Sequence, residues 1–319
     1  MLDMELLHFW THTSADVFID VQCNIDLFKS TVVEIAFEYP FLMHELLAIS
    51  ALHLARLRPE KSSFFIQTSD DHAATALALF QPQIANLTAE NCHACFAFST
   101  TLFVHAWAIQ DTAKPTALFF RPKALPTEPE IVNIQWVKLH RGSQTILQSI
   151  YPVLADGPLE VIFTPWRYLD PDRHDPLLPG ESRLFEDLSE AFTSLSATSQ
   201  AILTEALHKL KRIFSMLTYY PNISKLSIVM AWFPMISEDY LKMMEQKIPE
   251  ALLLVLYYCV ALKRLEHLWW VRGKAENLLN TVNAEMGPGW ERWTRWPNEQ
   301  VLGKGASPGV MGFGTIMNS

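Results

Sequence analysis

From Ser199 to Thr218 the apolar residues Ile202, Leu203, Ala206, Leu207, Leu210, Ile213, Phe214 and Leu217 step by three or four, while Glu205, His208, Lys209, Lys211 and Arg212 take the other side. That spacing predicts an amphipathic helix with one buried face. Ser224–Met235 is apolar almost all round, which predicts a core helix broken at Pro234. Ser237 or Asp239 can cap a short helix to Gln246, and Pro249 suits the first turn of a long terminal helix. That helix is expected to run through the paired tryptophans Trp269 and Trp270, to be interrupted at Gly273 and to resume as far as Ala284. In the first third of the chain the same spacing predicts helices over Asp3–Thr13, Leu27–Phe37, Pro40–Leu57, Ser62–Phe80 and Glu90–Ile109, with another over Ile134–Ile150.

Two stretches break every period. Asp111–Ile131 holds prolines at 115, 122, 126 and 129, and Ala155–Gly180 holds them at 158, 165, 171, 176 and 179. Both read as irregular connections. No strand-like alternation bounded by turn signals occurs, so the expected fold class is all-α: a single compact helical domain of about ten helices with two Pro-rich connections. Residues 1–300 form that domain in this reading, and residues 301–319 a flexible Gly-rich tail.

Composition narrows the function. Half of the 319 residues are hydrophobic, which supplies a sizeable core. With 34 acidic against 25 basic residues the formal charge is −9, so direct nucleic-acid binding by this chain is not expected. The longest apolar run, Ala251–Leu262, ends at Lys263 and is shorter than the roughly 20 residues of a bilayer span, so no membrane span is expected. The first residues lack the basic start of a signal peptide, and four scattered cysteines suit a reducing compartment.

Candidate chemistry is sparse. Cys92-His93-Ala94-Cys95 has the CxxC spacing of a redox pair or half a zinc site, but two ligands do not close a tetrahedron and no second pair exists. Small buried helix residues are the simpler reading. His44-Glu45 lacks the second histidine of a zincin, and no nucleophile elbow, Walker loop or dinucleotide fingerprint is present. No enzyme activity, cofactor or metal is expected.

Five segments carry a family resemblance. LLHFWTHTSADVF resembles the Leu-His-x-x-Thr-x-Thr opening of the sterol uptake control group of fungal zinc-cluster transcription factors. AFEYPFLMHELLAISALHLARL resembles that group's Leu-Leu-Ala-x-Ser-Ala-Leu-His-Leu-Ala helix after Pro-Phe. Trp136–Gly142 resembles its Trp-x-x-Leu-x-Arg-Gly helix start, the stretch from Ala231 to Gly273 its C-terminal core, and Trp290–Pro297 its terminal tryptophan element. The resemblance implies an all-helical regulatory domain in the nucleus, shuttling with the cytoplasm, that encloses a hydrophobic, sterol-like ligand. Such factors also carry a zinc cluster of six cysteines, absent here, so zinc-dependent reading of DNA is expected from another segment or subunit.

An apolar pocket lined by aromatic and Met side chains suits such a ligand, and Phe103, Trp107, Met230, Trp232, Met235 and Trp269 are the candidate lining residues. Ordinary core packing accounts for them equally well. The alternative function is a zinc-cluster-less interaction protein, a homodimer or a heterodimer with a full-length transcription factor, anchored by Trp290, Trp293 and Trp296 if these stand exposed in a row.

Overall fold

The structure is a computed structural model that describes residues 1–109, 150–167 and 176–303, together with Val137 and Arg141. Among the described residues all regular structure is helical. The first part runs α1 (Leu2–Phe9), a π-helical turn over Trp10–Ser14, α2 (Gln22–Lys29), α3 (Thr31–Glu38), α4 (Pro40–Leu57), α5 (Ser62–Ala85) and α6 (Cys92–Ala108). After it come α7 (Glu160–Arg167), α8 (Pro179–Glu190), α9 (Ala197–Tyr219), α10 (Lys225–Met230), α11 (Trp232–Met235), α12 (Glu238–Glu245), α13 (Pro249–Lys263), α14 (Lys274–Met286) and α15 (Glu291–Leu302).

Two helices organise the molecule. α4 begins at Pro40, whose missing N–H falls where no intrahelical partner exists, and buries Phe41, Leu42 and then every residue from Glu45 to Ala55. It pairs along its length with α5 and is flanked by α1, α3 and α6. α13 likewise starts on a proline and is buried from Glu250 to Leu262, because α9, α12, α14 and α15 surround it. One continuous core reaches from Trp10 to Val301, with a smaller cluster of Leu6, Leu47, Ala51, Leu54, Ala55 and Phe65 beneath α1, α4 and α5.

The expected α9 is present with its apolar stripe turned inward, and the Ser196 hydroxyl accepts from the Ser199 N–H at its start. Ser237 caps α12 in the same way through the Tyr240 N–H. Other elements differ from expectation. The Leu27–Phe37 helix is two helices meeting at Ser30, whose hydroxyl donates to the Asp26 carbonyl at 2.7 Å. α5 continues past Phe80 through Pro82, and the Pro-rich stretch after Ala155 contains α7, with Pro158 ahead of the helix. α13 stops at Lys263. Tighter turns follow, with Leu265 N–H to Leu262 and Leu268 N–H to Leu265 at 3.0 and 2.9 Å, and they bury Leu265, Leu268, Trp270 and Val271 together. α15, the last helix among the described residues, runs two residues into the expected tail, with Trp296 and Val301 packed on the core. The Asp111–Ile131 connection, most of the Ile134–Ile150 helix and residues 304–319 of the Gly-rich tail lie outside the described residues.

Candidate ligand and partner sites

The six candidate residues fall into three places. Phe103 and Trp107, one turn apart on α6, are 5.7 Å between ring centroids, and both meet the edge of Trp270, at 6.4 and 5.9 Å. Met230 and Trp232 belong to a second cluster: Trp232 stacks on Tyr258 at 5.0 Å, Phe233 and Tyr240 close its edges, and the Tyr258 hydroxyl reaches the Met230 sulfur at 3.8 Å. Met235 is half-buried at the end of α11, and its carbonyl accepts from Lys209 Nζ at 2.5 Å. Burial raises the Tyr240 and Tyr258 hydroxyls well above the usual phenol range, so both are neutral donors.

Trp269 stands apart, on the face of His53 at 4.4 Å with 3° between the ring planes. The Arg56 guanidinium lies 5.1 Å from the Trp269 ring and donates to the Trp269 and Ala108 carbonyls at 2.8 and 2.7 Å. Trp270 Nε1 donates to the Phe18 carbonyl at 3.1 Å. The paired tryptophans therefore join the segment after α13 to the first six helices. Asp20 makes a further joint, accepting from the Ser224 hydroxyl at 2.5 Å and from the Leu226 N–H at 3.2 Å at the start of α10. Arg141, which lies beyond α6, donates to the carbonyls of Phe233 and Ile236 and pairs with Glu238.

The remaining chemical candidates are structural. Cys92 and Cys95 are buried free thiols, and burial pushes Cys95 up to about 11, which leaves a neutral thiol rather than a reactive thiolate. His93 faces Gly157, where an added Cβ would lie 2.0 Å from its Nε2, so this contact requires glycine. Sequence reading missed a Ser–His–carboxylate series across α4, α5 and α6. Ser69 Oγ is 3.1 Å from His105 Nε2, and His105 Nδ1 is 3.2 Å from Glu45 Oε1 without the alignment of a hydrogen bond. Ser69 is 1% exposed and Glu45 0%, so a substrate has no approach to the hydroxyl, and the series acts as a polar bridge between three helices. Among the described residues no group of three His, Cys, Asp or Glu side chains is placed to hold a metal ion, and no helix is long and apolar enough to cross a membrane.

An open groove of about 320 Å³ lies between α1, α3 and α4, lined by Asp3, Met4, Leu7, Ala36, Phe37, Pro40, Met43, His44 and Leu47. His44 Nδ1 meets His72 Nδ1 at 2.8 Å, and His72 Nε2 is 3.6 Å from the Asp3 carboxylate. Burial lowers the His72 pKa, opposed in part by Asp3. The tryptophans 290, 293 and 296, by contrast, make no exposed row. Trp296 packs on Tyr257 and Phe214 at 5.1 and 6.2 Å, and Trp293 Nε1 donates to the Asp187 carbonyl at 2.9 Å.

Residues 5–147, which include the whole of α2 to α6, match the family model described as the fungal specific transcription factor domain. The matched part of the chain, a little under half of it, is similar to a fungal specific transcription factor domain. The chain is 21% identical, across 96% of its length, to a Zn(2)-C6 fungal-type transcription factor of Gibberella zeae, of which it spans 63%. It is 30% identical over 154 residues to Sterol uptake control protein 2 of Candida albicans, and 26% identical over 159 residues to the protein of that name in Saccharomyces cerevisiae. Each of these two matches covers 48% of this chain and 20% or 16% of the relative, so the chain corresponds to a minor part of both. Within the matched residues α4, the Leu-Leu-Ala-Ile-Ser-Ala-Leu-His-Leu-Ala helix, supplies His53 and Arg56, which hold Trp269 from beyond that segment.

Proposed function

We propose that this chain is the regulatory part of a fungal transcription factor, acts in the nucleus without catalysis of its own, and is controlled by a hydrophobic ligand of the sterol kind. The observation that carries the reading is the 30% identity over 154 residues to a sterol uptake control protein. The aromatic and sulfur-bearing interior supports it. Phe103, Trp107, Trp232 and Trp269 offer flat apolar faces and Met230 and Met235 adaptable thioether chains, and covering such area is worth about 25 cal/mol per Å² to a ligand that displaces or joins them. The ligand acts by binding one arrangement of the helices more tightly than another, and its difference in affinity sets the size of the response. Zinc-dependent contact with DNA belongs, in this reading, to another segment or subunit.

Native mass spectrometry of the purified chain, followed by thermal unfolding with a panel of sterols, tests the proposal. A co-purifying apolar molecule, or a rise in Tm that grows with sterol concentration and is lost in Trp232→Ala, is the expected result. The absence of both a bound apolar molecule and stabilisation by any sterol rejects ligand control. The alternative, pairing with a full-length factor, is read in parallel by light scattering, since a strict monomer that captures no such factor opposes it.

A further inference from the structure

We infer that the groove between α1, α3 and α4 docks the apolar face of a basic amphipathic helix from a partner protein. Its walls are Met4, Leu7, Phe37, Pro40, Met43 and Leu47. Met4 is 74% exposed and Phe37 67%, although α3 already has Val32, Val33 and Ala36 in the core, so packing within the chain does not require an aromatic ring at position 37. A small molecule in this groove would keep one side in water, whereas small-molecule sites cover about 70–90% of their ligand. A helix laying one or two anchor side chains across an open, Met-rich surface has no such requirement.

The charges choose the partner. Asp3 lines the groove, Glu34 stands exposed one helical turn before Phe37, and Glu38 follows it. His44 and His72 share a hydrogen bond between their Nδ1 atoms, which needs at least one ring neutral, so the pair carries at most one positive charge against the three carboxylates. Lys or Arg beside the anchor residues complements it. A second copy of this chain does not supply the helix from its own amphipathic α9, because the apolar face of α9 is buried in its own core.

The test uses fluorescence anisotropy with a labelled Leu/Lys model helix of about 16 residues and its Leu/Glu counterpart. The whole chain is compared with Phe37→Asp, Glu34→Lys and, as a control on the exposed side of α5, Ile66→Asp. Binding of the Leu/Lys helix that falls at least about tenfold in Phe37→Asp, falls in Glu34→Lys and is unchanged in Ile66→Asp supports the inference. Phe37→Asp adds negative charge, so equal or tighter binding there would mean general attraction of a cation to an acidic protein and overturns it. Equal binding of the Leu/Glu helix also overturns it. So does a dimer of this chain that Phe37→Asp dissociates, or Met4 and Met43 methyl NMR signals that shift with a sterol and not with the peptide. Folding of each variant is checked by circular dichroism, and because the sterol-binding readout uses Trp232, failure of ligand control leaves this result standing.

Discussion

His53 shows how a single side chain records its surroundings. It is buried between the Ser14 hydroxyl, 2.9 Å from Nδ1, and the Trp269 ring, and burial, with Arg56 nearby, brings its pKa down to about 4. In the unfolded chain the imidazole returns to its ordinary value of 6.5, so the unfolded state binds more protons between those limits. Stability contributed here is full above about pH 6.5 and lost as pH falls toward about 4, by an amount on the order of 3 kcal/mol. Urea titrations across that range should show a steeper loss in the native chain than in His53→Gln. Trp269→Ala should cost about 3 kcal/mol, and a double-mutant cycle with His53→Ala should return a coupling of about 1 kcal/mol for the stacked pair. Thiol reactivity reads burial by another route. Cys23 is exposed, whereas Cys92, Cys95 and Cys259 are buried with raised pKa values, so Ellman's reagent should modify one thiol in the native chain and all four in urea.

At the scale of elements, the passage from α13 to α14 decides where Trp269 and Trp270 point. A helix continued beyond Lys263 would set successive side chains around its axis. The observed turns instead bring Leu265, Leu268, Trp270 and Val271 to one side, and Gly273 reverses the chain with φ of 78° before α14 begins. An L side chain in that left-handed conformation is strained, so Gly273→Ala should cost about 1 kcal/mol in urea unfolding and disturb the near-UV signal of Trp269 and Trp270. The sequence predicts the interruption at the glycine because nothing between Lys263 and Gly273 breaks a helix by itself. What ends it is the gain from docking two indoles on His53 and Arg56 and on Phe18, Phe103 and Trp107, residues far away in sequence.

For the whole molecule, the core is continuous from Trp10 to Val301, and joints at Asp20, Arg56 and the tryptophan pair cross between the first six helices and the later ones. Such a body should unfold as one unit, with coincident far-UV and tryptophan-fluorescence transitions in urea. A fragment restricted to residues 5–147, the segment that matches the family model, lacks Trp269, Trp270 and Ser224 and should lose cooperative unfolding; a sharp native-like transition in that fragment would refute this account of the joints.

Along the chain, periodicity by itself determined the all-helical class, the start of α4 at Pro40 and its end at Leu57, and the buried stripe of α9. These depend on neighbours three or four positions apart and on a proline that fits only a first turn. The family resemblance reads from the same kind of local pattern, since its most specific stretches lie on α4 and on Pro249–Gly273. Tertiary structure alone decided that Trp290, Trp293 and Trp296 turn inward, that Phe103 and Trp107 meet Trp270 rather than Met230, and that Phe37 is left in water beside Met4. An aromatic residue in a sequence shows that a large apolar surface exists. Which surface covers it, or whether any does, depends on helices brought together from distant parts of the chain, and local spacing carries no information about that meeting.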